Sequence, residues 1–94
     1  MNALKKYHAA HILVKHAYEA EDLIKKLAEG KSFEELATKF SNCQSAKNQG
    51  DLGQIAFGKA DPDFEEAVEL LKPGQITKKP IRSRFGFHII KRIS

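Results

Sequence analysis

The stretch of residues 7–15 (YHAAHILVK) constrains the fold most, because apolar and aromatic side chains occupy nearly every position. A short run with β-branched residues and no regular alternation of polar side chains is typical of a strand that is buried on both faces. Such a strand needs neighbouring strands at both edges and other elements packed above and below. The sequence therefore predicts a central strand at residues 7–15.

Helical and strand-like patterns follow one another along the rest of the chain. Helices are predicted at 17–29, 33–40 and 61–71, a short helical turn at 44–47, and strands at 52–57, 75–81 and 85–93. Ser32 opens a capping box for the second long helix, and Asp61 followed by Pro62 is typical of a helix start. The order βαααβαββ predicts an α+β fold with a four-stranded antiparallel sheet wrapped by three to four helices.

Length and composition predict one domain over residues 1–94, with 41% hydrophobic and 30% charged residues, as in ordinary globular proteins. The single cysteine, Cys43, cannot form an internal disulfide, so a cytoplasmic location is expected, with export only if the domain belongs to a longer protein. No apolar run approaches the roughly 18 residues of a membrane span, and no signal-peptide pattern is visible. We expect a monomer without a membrane partner.

The net charge of +4 raises the question of nucleic-acid binding. Lysine and arginine are interleaved with acidic residues through most of the chain, as on solvated helix faces. The exception is a basic cluster without acids, formed by Lys78, Lys79, Arg82 and Arg84. A short cluster of this kind is more typical of a basic rim on a loop than of a nucleic-acid surface, so no nucleic-acid partner is predicted.

The segment 41–53 is predicted to be a structured loop between a helix and a strand. It contains Cys43 and almost no large apolar residue. Gly50 and Gly53 allow backbone angles closed to other residues, and Asp51 between them can bind neighbouring amides. Loops that a rigid scaffold holds in place often carry the chemistry of a protein. We therefore expect Cys43 on the floor of a site.

His11 and His88 each lie within an apolar strand pattern, where adjacent strands would let the two imidazoles hydrogen-bond each other. Together with Cys43 they suggest three kinds of site. A zinc site lacks the close-spaced ligand pairs that such sites use. A thiol nucleophile is conceivable, with a histidine base and Lys47 favouring the thiolate. The third is an apolar pocket in which the three residues polarise or orient a substrate without forming a bond.

Five motifs resemble the parvulin family of peptidyl-prolyl isomerases, in order and spacing and over nearly the whole chain. They are residues 11–15 (HILVK), 40–47 (FSNCQSAK), 50–53 (GDLG), 64–65 (FE) and 85–91 (FGFHIIK). The fold of that family agrees with the pattern above. The resemblance implies an enzyme that isomerises X-Pro bonds non-covalently in proline-containing peptides and in unfolded or nascent proteins, without cofactor or metal.

The resemblance also implies roles for particular residues. The catalytic residues would be His11, Cys43, Ser83 and His88, and the substrate-binding residues Leu52, Ala60, Phe64, Phe85 and Lys47. Leu52 and Phe64 match the pocket for the proline ring. Ala60 stands where the family usually has methionine, and Phe85 or Phe57 is expected to fill part of the space.

Substrate choice is suggested by the short connection between the first strand and the first helix. Parvulins that require phosphoserine or phosphothreonine before proline have a long basic loop there, whereas only His16 separates Lys15 from the predicted helix. The resemblance therefore implies a phosphate-independent enzyme. The alternative is a non-catalytic parvulin module that only binds unfolded chains, and Ala60 is the feature that favours it.

Overall fold

One antiparallel sheet organises residues 6–94, the part of the chain that the computed structural model describes. Its strands are β1 (Lys6–Val14), β2 (Asp51–Ala56), β3 (Ile81–Ser83) and β4 (Gly86–Arg92), in the spatial order β2-β1-β4-β3. β1 pairs with β2 along one edge and with β4 along the other. The predicted central position of the first strand is therefore confirmed.

Three α-helices and one short 3₁₀ helix surround the sheet in the described residues. They are α1 (Ala17–Ala28), α2 (Phe33–Phe40), the 3₁₀ helix (Gln44–Asn48) and α3 (Pro62–Leu70). The side chains of Ser32 and Asp61 accept hydrogen bonds from the first-turn amides of α2 and α3, as their sequence positions predicted. None of these helices is long and apolar enough to cross a membrane. The predicted α+β fold is confirmed.

The predicted strand at 75–81 was wrong. Residues 75–77 run beside β4 and bond to it, with Thr77 N donating to Ile90 O at 2.9 Å, but only the isolated bridge between Ile76 and Lys91 forms. The chain then leaves the sheet, and pairing resumes in β3 at Ile81. Pro80 explains the interruption, because it has no amide hydrogen and restricts the residue before it.

Two hydrophobic clusters lie on opposite faces of the sheet, because side chains alternate along each strand. Ile12 and Ile89 belong to the cluster under α1 and α2, whereas Ala9 and Ile90 belong to the cluster under α3. By the same alternation His11 and His88 face α3, and both contact Phe64 of that helix. The sheet thus presents its two central histidines to a single helix.

Candidate active site

His11 and His88 form a buried hydrogen-bonded pair at the centre of the sheet. Their Nδ1 atoms lie 2.9 Å apart, and the two rings are stacked with centroids 5.0 Å apart. The side chains belong to the neighbouring strands β1 and β4, where His11 pairs with Ile90 and His88 with Leu13. One Nδ1 must donate and the other must accept, so at least one of the two rings is neutral.

Ser83 extends this pair into a chain of hydrogen bonds. Its Oγ lies 2.6 Å from His88 Nε2 and accepts a hydrogen bond from the backbone amide of Phe85 at 3.1 Å. At the other end, His11 Nε2 is buried without a hydrogen-bond partner among residues 6–94. The chain therefore fixes the orientation of both rings, and a change at either end affects the tautomer of both.

Burial keeps the histidine pair neutral near pH 7. It lowers the pKa of His11 from 6.5 to about 4, and repulsion from His88 acts in the same direction. Burial also lowers the pKa of His88, although the negative charge of Asp61 partly opposes the shift. Two neutral imidazoles are able to share one Nδ1–H hydrogen bond, whereas two imidazolium rings are not.

The histidine pair lines a mostly apolar cavity between the sheet and α3. The cavity has a volume of about 510 Å³, within the range of small-molecule sites. Its lining comprises His11, Leu13, Cys43, Leu52, Ile55, Lys59, Ala60, Asp61, Pro62, Phe64, Arg84, Phe85 and His88. The Phe64 ring meets both imidazoles edge-on, at centroid distances of 5.7 Å and 5.4 Å. The arrangement suits an apolar ring set against a polar but uncharged floor.

The loop that carries Cys43 is attached to β1 at both of its ends. Asn42 N donates to Leu13 O at 2.7 Å, and His11 N donates to Gly50 O at 2.9 Å. Gly50 has a φ of +84°, and a Cβ there would lie 2.6 Å from His11 O, so only glycine fits. The loop thereby holds Cys43 in the cavity wall beside the strand that carries His11.

The predicted site residues are placed as follows. His11, Cys43, Leu52, Ala60, Phe64, Phe85 and His88 line the cavity, and Ser83 lies behind His88. Lys47 lies on the 3₁₀ helix and is not among the cavity-lining residues. Phe57 packs against Tyr7 at a centroid distance of 4.7 Å and is not among the cavity-lining residues, so of the two phenylalanines expected near Ala60 only Phe85 lines the cavity.

Sequence reasoning missed Glu65, whose carboxylate holds the turn that follows β2. Gly58 N donates to its Oε1 and Oε2 at 2.9 Å and 3.1 Å, and Ala60 N donates to Oε2 at 3.2 Å. The Tyr7 hydroxyl donates to Oε2 at 3.1 Å, and burial together with the Glu65 charge raises the pKa of Tyr7. The sequence contains only the pair Phe64-Glu65, which does not indicate these partners. Glu65 therefore positions the cavity wall at Ala60.

Replacing Glu65 by alanine should loosen this wall. We expect the turn to open more often, because the charge-assisted bonds that Glu65 accepts from Gly58 and Ala60 are each worth about 1.5–3 kcal/mol. Amide hydrogen exchange at Gly58 and Ala60 should accelerate, and Glu65→Gln should fall between wild type and alanine. Glu69→Ala is the control, since Glu69 is exposed on the same helix. Unchanged exchange at Gly58 and Ala60 would show that Glu65 does not hold the turn.

The free energy of unfolding should fall as the pH decreases from 6.5 to 4. The pKa of His11 is about 4 in the folded protein and near 6.5 in the unfolded chain. Between pH 4 and 6.5 the unfolded chain binds more protons than the folded protein, so stability rises with pH. The full contribution of neutral His11 is present above about pH 6.5. Urea unfolding at closely spaced pH values measures the slope.

The same measurement on His11→Phe is the control for this pH dependence. The slope between pH 4 and 6.5 should become smaller, leaving the part that comes from His88. Asp51 and Glu34 have lowered pKa values in the folded protein, so their ionised forms stabilise it. This stabilisation is lost at lower pH, as the pH falls below the usual range of carboxylate pKa values. An identical slope in the variant would contradict the assignment to His11.

Comparison with known proteins identifies the family of the chain. The rotamase family model, described as the PPIC-type PPIase domain, matches residues 11–94. The foldase PrsA of Bacillus subtilis is 42% identical over 88 residues, covering 93% of this chain and 30% of PrsA. A putative peptidyl-prolyl cis-trans isomerase of Helicobacter pylori is 41% identical over 96 residues, covering 93% of this chain and 32% of that protein.

The solution structure of NmPin, the parvulin of Nitrosopumilus maritimus, superposes with a TM-score of 0.84 at 38% identity, covering 99% of this chain and 100% of NmPin. The chain thus spans about a third of the curated relatives named above and the full length of a small parvulin. A family match over residues 11–94, together with the same fold at this identity, shows that the chain belongs to the parvulins, the family of PPIC-type peptidyl-prolyl isomerase domains.

Proposed function

We propose that this domain catalyses the cis/trans isomerisation of X-Pro bonds in polypeptides without forming a covalent intermediate. The observation that carries the proposal is the neutral His11–His88 pair on the floor of an apolar cavity closed by Phe64. The proline ring would occupy the part of the cavity lined by Leu52, Ala60 and Phe64. No cofactor or metal takes part in the steps below.

Removal of water from the imide is the first source of rate enhancement. The X-Pro bond rotates slowly because rotation breaks amide resonance, with a barrier of about 18–20 kcal/mol. Resonance places negative charge on the carbonyl oxygen, and water stabilises this charge in the planar form. A cavity lined by Leu52, Ile55 and Phe64 replaces that water by apolar groups, so the less polar twisted form becomes relatively cheaper. A thousandfold acceleration requires only about 4 kcal/mol.

Cys43 is the second source, because it lies in the cavity wall as a polar neighbour for the carbonyl group. A polarisable sulfur near that oxygen disfavours the charge-separated planar form. His11 and His88 keep the floor of the site in one hydrogen-bonded arrangement, and Ser83 holds His88 in place. Rotation about the X-Pro bond transfers no proton, so these residues carry the same number of protons before and after it.

Substrates would be proline-containing segments of unfolded or nascent proteins, with no requirement for phosphate. The short link between β1, which ends at Val14, and α1, which begins at Ala17, supports this proposal, since it leaves no room for a long basic loop. Lys59, Asp61 and Arg84 all line the cavity, so charges of both signs lie close to the substrate position.

Isomer-exchange spectroscopy tests the proposal. A small amount of protein added to an Ala-Leu-Pro-containing peptide should broaden and merge the separate cis and trans signals, as the exchange between them accelerates. Binding that shifts the signals without accelerating exchange would instead establish the alternative, a non-catalytic module that holds unfolded chains. Ala60 in the cavity wall, at a position where the family usually has methionine, is the feature that favours this second function.

The cellular setting is proposed from the same features. A half-buried free thiol at Cys43 is compatible with a reducing compartment, so a free-standing domain would act in the cytoplasm. We also propose that such a domain acts as a monomer. As part of a longer foldase the domain would act after export. In both settings it would work without nucleic-acid or membrane partners.

A further inference from the structure

A second hollow lies directly beside the proposed proline cavity. It has a volume of about 630 Å³ and runs between α3 and β3, with Asp63, Glu66 and Leu70 on the helix side. Arg84 lines both hollows, so they meet at that residue. We call the second hollow the flank groove. A chain that leaves the proline cavity past Arg84 would therefore enter the groove.

Two larger apolar side chains, Leu70 and Ile81, line the otherwise mostly polar flank groove. Leu70 is 80% exposed, the largest exposure of any large hydrophobic side chain in the described residues. Leu70 and Ile81 line the groove and also a smaller hollow of about 260 Å³ that continues it. An exposed leucine next to a half-buried isoleucine offers a contact surface for one apolar side chain.

The walls of the flank groove carry opposite charges. Asp63 and Glu66 lie on the helix side and Arg82 and Arg84 on the strand side, and none of the four forms an ion pair with another residue of 6–94. β3 is also an edge strand, since it pairs with β4 alone. A groove with an edge strand, walls of mixed charge and an apolar contact point is suited to an extended polypeptide rather than to a small ion.

We propose that the flank groove binds the segment of the client polypeptide that flanks the proline, with an apolar side chain against Leu70 and Ile81. This rests on the proposed function, because it assumes that the proline occupies the adjoining cavity. Asp63 and Leu70 are seven residues apart on α3, about 10 Å along the helix axis. An extended chain covers that distance with about three residues. The groove therefore distinguishes long clients from short peptides.

Two peptides of different length test the proposal. The short peptide is Ala-Leu-Pro-Phe with blocked ends, and the long one adds four residues on each side, with a leucine at the third position from the core on both flanks. Wild-type protein should show a kcat/KM roughly tenfold higher for the long peptide, as partial burial of one leucine side chain allows. Leu70→Ser should remove most of this advantage and leave the short peptide unchanged.

Tyr18→Ser is the matched control, because Tyr18 is 68% exposed and lies on α1, away from the groove. It should leave the preference for the long peptide intact. Equal rates for both peptides in wild-type protein, or equal losses for both in Leu70→Ser, would overturn the proposal.

A binding measurement separates this inference from the proposed function. With methyl-labelled leucine, the long peptide should give intermolecular NOEs to the Leu70 methyl groups and the short peptide should not, whether or not either is isomerised. If exchange is not accelerated but these NOEs appear, the catalytic proposal fails and the groove stands. If the Leu70 signals respond only to protein concentration, the groove serves self-association and the inference is overturned.

Discussion

Replacing His11 by phenylalanine should lower kcat/KM for a proline peptide by on the order of 10- to 100-fold. The variant keeps an aromatic ring in place but leaves His88 Nδ1 buried without its partner, which is 2.9 Å away in the wild type. An unsatisfied buried polar group costs about 1–3 kcal/mol. A loss of this size in the transition state, caused by a less ordered cavity floor, lowers kcat/KM by on the order of 10- to 100-fold. His88→Phe should lower activity in the same way but cost more stability, because it also removes the partner of Ser83 Oγ. Isomer exchange measures the loss of activity, and urea unfolding at pH 7 measures the loss of stability.

The double variant separates catalysis from stability. With both rings replaced, no unpaired Nδ1 remains, so the free energy of unfolding should rise above that of His88→Phe while kcat/KM stays low. Recovery should be partial, because Ser83 Oγ still lacks its histidine partner. Activity that recovered together with stability would show that the histidines only hold the fold.

Cys43→Asp tests the proposed non-covalent role of the cysteine. It should retain far more activity than either histidine variant, because a carboxylate is also a polar or anionic neighbour for the carbonyl group. Loss of all turnover in Cys43→Asp, or a trapped thioester in the wild type, would instead support nucleophilic catalysis.

Phe64→Ala should have the second large effect, on stability and on catalysis together. Phe64 is 4% exposed, contacts both histidine rings and closes the proposed proline cavity. Removing a buried phenylalanine side chain costs about 3–5 kcal/mol, a large share of the stability of a small domain. KM should also rise and kcat/KM should fall at least about tenfold, measured at a temperature where the variant remains folded.

Val68→Ala is the control for this prediction, because Val68 is fully buried on the same helix but does not line the cavity. It should lose stability while KM stays near the wild-type value. Phe64→Leu should lose less activity than Phe64→Ala, since an apolar side chain still closes the cavity. Kinetic parameters unchanged in Phe64→Ala would mean that the proline ring binds elsewhere.

Local patterns were sufficient where neighbouring residues decide the structure. The caps at Ser32 and Asp61 and the central position of β1 follow from side chains within one helical turn or one strand. Asp51 also bonds the amide of Gly53 at 2.7 Å, as the loop sequence suggested. The error at 75–81 has a local cause as well, because Pro80 interrupts pairing that the apolar pattern alone would continue.

By itself the sequence determined the secondary-structure order, the two faces of β1 and the residue types available for a site. Only the tertiary structure decided that Glu65 holds the turn before α3, that Ser83 completes the histidine chain, and that Arg84 joins two hollows. These contacts depend on strand register and on how α3 lies on the sheet. Both are set by packing between residues far apart in the chain, and no local pattern records such packing.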